Sequence, residues 1–149
     1  VCNADLRLRL FQVYGKEKKT AMFQSNRHKN NFEMQRRLLR KPDNRALAAL
    51  YLLTADSALW NCCECHLNER GKLNFAAIRL VALSADGYVL WKAVKELQTG
   101  QRQISPCELT DREVISDRAF RLITQAAAIA RFGIAVLGTI EWEKDTDER

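Results

Sequence analysis

Two apolar seams run side by side through residues 116–138. One is Phe120, Ile123, Ala127, Ala130, Ile134 and Leu137; the other is Leu122, Ala126, Ile129, Gly133, Val136 and Ile140. Both advance in steps of three and four, the repeat of an α-helix. One seam lets a helix lie on a surface, whereas two adjacent seams call for neighbours around most of its circumference. The pattern therefore predicts a buried C-terminal helix at the centre of the fold. Ala46, Ala49, Leu50 and Leu53 mark residues 45–54 as its main partner, with Asp43 as the cap.

The remaining pattern supplies further helices. Ser25 is placed to cap a helix through Arg40, with Pro42 as its stop. His28, Phe32 and Leu39 form its apolar face, Met34 and Leu38 widen that face, and Lys29, Glu33, Arg36, Arg37 and Arg40 lie opposite. A short helix carries Leu59 and Trp60 into Cys62 and breaks at residues 68–72. Residues 74–83 read as one helical turn or an extended link. Ser84 then opens a helix with Leu90, Val94 and Leu97 inward and Gly100 at its end. Pro106 in a first turn and a capping box from Thr110 to Glu113 lead into Ser116. The expectation is an all-α, single-domain protein of five or six helices over residues 22–140.

The ends differ from this body. Residues 1–21 alternate Leu6, Leu8 and Leu10 with Arg7 and Arg9, then pass into a lysine run, as an edge strand or arm would. They also read as an extension ahead of a natural start at Met22. Residues 141–149 form an acidic tail of five acids and two bases.

Composition narrows the class. The chain is 149 residues long, 47% hydrophobic and 28% charged, with 6 Gly and 2 Pro, which suits a packed helical domain and excludes wholesale disorder. No uncharged apolar run approaches the ~20 residues of a membrane span. Five cysteines, three of them at 62, 63 and 65, favour a reduced cytoplasmic chain over a disulfide framework. The N-terminus, with arginines among its leucines, does not read as a signal peptide.

The net charge of +6 is concentrated. Between residues 15 and 45 there are ten bases against Glu17, Glu33 and Asp43. Seven of them, Arg27, Lys29, Arg36, Arg37, Arg40, Lys41 and Arg45, sit on or just after one helix, where they suit phosphates or an acidic protein surface. No zinc finger, aromatic RNA-binding strand or helix-turn-helix glycine accompanies them, so a solvated helix face is the plainer reading. Asp56 with Trp60, and Tyr88 with Trp91, are spaced to line a small-molecule pocket, although such pairs also occur as core edges and caps. Cys62, Cys63, Cys65 and His66 are of metal-ligand type, with His28 or Cys107 to complete a tetrahedron. Structural zinc joins two separated ligand pairs and the second pair is missing, so no metal or other cofactor is expected. With two histidines, no phosphate loop and no nucleophile elbow, the chain is not expected to be an enzyme.

Four segments resemble a family of small uncharacterised proteins from phages and integrated mobile elements of Firmicutes and related gut bacteria. They are MFQSNRHKNNF at 22–32, ALYLLTADSALW at 49–60, LSADGYVLWKAVKELQTG at 83–100, and LTDREVISDRAFRLITQAAAIARFGIAVL at 109–137. The resemblance implies a start near Met22 and leaves the cysteines at 62–65 outside the pattern. It carries no catalytic residue. It implies an accessory or regulatory protein, or a small inhibitor of host defence that binds a protein or ligand. The chain as a whole is expected to be a non-enzymatic protein that binds a macromolecular partner, a protein first and nucleic acid through the basic helix second, as a monomer or homodimer.

Overall fold

Between Ala46 and Ala55 every residue is buried, and the side-chain polar groups enclosed with them are the Tyr51 phenol and the Thr54 hydroxyl. The Thr54 hydroxyl donates back to the helix carbonyls of Leu50 and Tyr51, so it is not left without a partner inside the apolar surroundings. A computed structural model, which describes residues 23–137, builds the fold around this helix. The described residues form six α-helices and two 3-10 turns, with no strand beyond one isolated antiparallel bridge between Leu67 and Leu73. The expected all-α bundle is present. The arm at 1–21, Ile140 and the acidic tail at 141–149 lie outside the described residues.

Helix α1 (Asn26–Leu38) is capped by Ser25, whose hydroxyl accepts from the His28 amide at 3.1 Å. Helix α2 (Asn44–Ala55) is capped by Asp43, and α3 (Ser57–Cys63) by Asp56, which also ends α2. After a 3-10 turn at Glu64–His66 the chain folds back at residues 67–73, and a second 3-10 turn occupies Phe75–Ala77. Helix α4 (Ala85–Thr99) runs from the Ser84 cap to Gly100, which takes the left-handed conformation at φ 75°. A short α5 (Pro106–Leu109) precedes α6 (Asp117–Phe132), capped by Ser116. Helices α1, α3, α4 and α6 all pack on α2.

The C-terminal helix is thus one wall of the core and α2 is its centre. On α6 the seam Leu122, Ala126, Ile129 and Gly133 is buried; along the other, Phe120, Ile123 and Ala130 are half-buried and Ala127 is exposed. The cause is polar: α6 carries Asp117, Arg118, Arg121, Gln125 and Arg131 around its remaining arc, and enclosing them would strand charges away from water. The helix also stops at Phe132, because Gly133 leaves the helical path at φ 83°, ψ −179°. Two boundaries move as well. Helix α1 ends at Leu38, where Leu39 becomes extended. The capping box is Ser105 with Glu108, at the start of α5, while residues 110–113 form turns.

Arg118 fastens one end of the bundle. Its Nε donates to Gln24 Oε1 at 2.8 Å, Nη1 to Asp86 Oδ2 at 3.2 Å and Nη2 to the Ala55 carbonyl at 3.3 Å. Gln24 Nε2 donates to the same carbonyl, and the Ser116 hydroxyl donates to Asp86 Oδ1. One guanidinium therefore joins the chain before α1, the C-terminal end of α2 and the first turns of α4 and α6. A cation at the last carbonyls of α2 also meets the negative end of that helix.

The buried centre on α2 and the outer face of α6 are separable by mutation. Leu52→Ala should lower the unfolding free energy by about 2–5 kcal/mol, whereas Ala127→Gln should change it by less than about 0.5 kcal/mol, both read from urea titrations. Arg118→Lys keeps the charge but loses the planar fork, and should lower stability by about 1–2 kcal/mol in the same assay.

Candidate functional site

At the opposite end of the bundle the basic residues gather. Helix α1 closes there, residues 39–43 cross over, and α2 begins. Residues 67–73 dock against this crossing: the Arg40 amide donates to the Glu69 carbonyl at 2.7 Å, and Lys72 Nζ meets Asp43 Oδ2 at 3.0 Å. Gly71 makes the fit possible. At φ 80°, a Cβ on it would come 3.1 Å from the Cβ of Ala46 and 3.2 Å from Cδ1 of Leu39. Asn68 shapes the turn, its side-chain oxygen accepting from the amides of Arg70 and Lys72.

This end holds seven bases, Arg36, Arg37, Arg40, Lys41, Arg45, Arg70 and Lys72, against Glu33, Asp43 and Glu69. Each acid faces a base. Glu33 pairs with Arg36 at 2.7 Å, Asp43 with Lys72, and Glu69 lies 3.9 Å from Arg40. The Asp43 carboxyl is held below its ordinary range, first by the Ala46 amide and then by Lys72. Arg37, Lys41, Arg45 and Arg70 are exposed and make no ion pair among the described residues. Arg27 is exposed near the first turn of α1, at the Arg118 end, and Lys29 is half-buried on its flank, so the seven expected contacts do not share one face. Arg70 and Lys72 were not legible as part of this surface, because the turn that carries them reaches it by tertiary docking.

The outward face of α1 is mixed. Met34 is 58% exposed and Leu38 69%, beside Arg27, Asn30 and Arg37. They do not widen the buried stripe as their apolar character suggested. At 100° per residue Met34 lies about 200° around the helix from Phe32, on the side turned from α2. Leu38 also borders an open groove of about 400 Å³, lined by Leu39, Trp60, Cys65, Leu67 and polar neighbours.

The residues considered for a small-molecule pocket are divided. Asp56 spends Oδ1 on the Leu59 amide and sets Oδ2 against Gly87. Trp60 faces the groove, Trp91 packs on Phe75 with centroids 5.5 Å apart, and Tyr88 points outward. The cysteines do not converge either. The α-helix ends at Cys63, so the helical spacing of Cys62 with Cys65 and His66 is lost in the 3-10 turn. Burial pushes the Cys63 thiol up to about 12, with Cys62 adding to the shift. Among the described residues no three His, Cys, Asp or Glu side chains are grouped to hold a metal ion, and no helix is long and apolar enough to cross a membrane.

His28 is committed to the core. Its Nε2 lies 2.8 Å from the Tyr51 carbonyl and Nδ1 faces the Gln24 amide at 3.4 Å, which assigns the proton to Nε2. The rings of Phe23 and Tyr51 pack around it.

No protein-family model matches this chain, and no curated protein or solved structure is significantly similar to it.

Burial lowers the His28 pKa from 6.5 to about 4, against the opposing pull of the Tyr51 carbonyl and with a smaller push from Arg118. The unfolded chain therefore binds the proton first as pH falls. The contribution is complete above about pH 6.5 and is lost on descent toward 4, amounting to about 2 kcal/mol between pH 7 and 5. The urea midpoint should fall over that interval in the wild type and stay flat in His28→Gln, whatever that variant's stability at pH 7.

Proposed function

We propose that this chain is a non-enzymatic binding protein of phage or mobile-element origin, acting in the cytoplasm on a macromolecular partner through the basic end and the adjoining face of α1. The observation that carries the reading is that Arg37, Lys41, Arg45 and Arg70, exposed and without an ion pair among the described residues, belong to the end of the bundle where α1 leaves Leu38 exposed, with Met34 one turn back. A surface for phosphates alone gains little from apolar neighbours. A protein surface that sets acidic residues around an apolar contact uses both, the bases steering the encounter and the apolar pair holding the complex. The reading assigns no catalytic residue and no cofactor.

Nucleic acid is the second reading, favoured by the exposure of Arg37, Lys41, Arg45 and Arg70 at one end of the bundle. Their substitution is more informative than that of Arg36 and Arg40, which already face Glu33 and Glu69.

The discriminating experiment is a pull-down from a lysate of the source cells, with and without nuclease, at low and moderate salt. A protein partner retained after nuclease, released by Met34→Glu with Leu38→Glu and weakened about tenfold by Arg37→Glu with Lys41→Glu, is the expected result. Recovery of nucleic acid alone, lost with salt and indifferent to Met34 and Leu38, would overturn it in favour of the second reading.

A further inference from the structure

We infer that the open groove beside Trp60 is a docking site for an acidic segment of a partner protein, which seats one large apolar side chain against Leu38, Trp60 and Leu67. The inference deepens the function proposed above and rests on it for the class of partner. The apolar lining of the groove is Leu38, Leu39, Trp60 and Leu67. Its volume of about 400 Å³ is near the lower limit for sites that enclose a whole small molecule, and it is open. Such a groove suits a side chain carried in by another surface.

The indole of Trp60 marks what the occupant must supply. Trp60 is 7% exposed, and its N–H makes no hydrogen bond among the described residues. The fully enclosed donors without a partner among those residues are Arg36 Nε and Gln125 Nε2, so the Trp60 N–H still meets solvent. A tryptophan buried to this degree ordinarily gives its N–H to an acceptor. A carbonyl or carboxylate of a docked segment supplies one. The side chain of Gln35 and the amide nitrogen of Asn68, also on the lining, are likewise without a hydrogen bond among the described residues. The lining therefore offers donors around an apolar floor.

Charge sets the composition of the segment. Arg37 and Arg40 flank Leu38 and Leu39 in the chain, and Arg70 follows Glu69. The Arg40 amide on the Glu69 carbonyl and the close approach of Gly71 to Leu39 bring these two stretches together. Of the acids on the lining, Glu69 faces Arg40, whereas Glu64 is exposed and makes no ion pair among the described residues. Acids beside the apolar side chain therefore belong against residues 37–41 and 70, and the part of the segment that meets Glu64 carries none. Nucleic acid fits the groove less well, because a base stacks on an aromatic face and little of Trp60 is exposed.

The test uses the full 149-residue chain and its two exposed thiols, Cys65 on the lining and Cys107 off it. The probe is a synthetic peptide of Asp and Glu around a central Phe-Leu pair, and iodoacetamide alkylation of each thiol is read by peptide mapping. At saturation the peptide should slow alkylation of Cys65 by about tenfold and leave Cys107 unchanged. Peptides with Ala-Ala at the centre, or with Lys in place of the acids, should bind at least about tenfold more weakly. Trp60→Phe and Leu38→Ala should each weaken the probe by about three- to tenfold. Leu38 is 69% exposed, so its variant keeps the fold even where Trp60→Phe does not.

No slowing of Cys65, equal slowing of both thiols, or equal protection by the Ala-Ala peptide would overturn the inference. So would protection by a single-stranded oligonucleotide in place of the peptide, which assigns the groove to nucleic acid. Protection that grows with protein concentration alone would overturn it too, in favour of a second copy of the chain. A lysate partner retained while Cys65 stays unprotected would remove the groove alone. A protected Cys65 with no partner in the lysate would remove the partner reading and leave the groove.

Discussion

A helix with no polar side has no stable place on a surface, and α2 is such a helix. Burying ten consecutive residues requires cover on all sides, so the other helices are arranged as its enclosure. The small residues Ala46, Ala48, Ala49 and Ala55 let those neighbours come close, while Leu50, Leu52 and Leu53 fill the space between them. The architecture follows from that one requirement. Helices α1, α4 and α6 each need just one apolar face, and each can keep charge on the other.

The two ends of α2 are finished by different means. At its C-terminus one arginine gathers carbonyl, carboxylate and amide groups from four segments, and Asp56 turns the chain directly into α3. At its N-terminus the contacts are a close backbone approach at Gly71 and two exposed ion pairs, each of which contributes little in water. Among the described residues, the first end spends its guanidinium on internal partners. The second leaves bases over. That asymmetry directs attention to the basic end for function, independently of any resemblance to other proteins.

What was legible in the sequence was local. Ser25, Asp43, Ser84 and Ser116 each satisfy the amide three residues on, and chemistry at that range needs no knowledge of the fold. The centre of the core was harder to see. Apolar seams on α6 and on α2 look alike when apolar residues are counted, and the difference lies in the charged residues between them, which α6 has and α2, beyond Arg45 in its first turn, lacks. Met34 and Leu38 misled for the same reason, since their apolar character said nothing of the angle at which α1 meets α2. The basic run at 36–45 was visible. Which of its members were already paired depended on Glu69 and Lys72, brought in by a turn that reads as a simple helix break.

The order in which the chain is made gives the enclosure of α2 a further meaning. Helix α2 leaves the ribosome about eighty residues before α6 is complete, and α4 also follows it. At ordinary rates of synthesis, about 5–20 residues per second, its apolar surface waits several seconds for cover. At the start of that interval α1 is, among the described helices, the one already made, and its His28 and Phe32 shield one side of α2. The nascent protein is therefore exposed to aggregation and to chaperone capture through the helix that, once enclosed, holds the fold together.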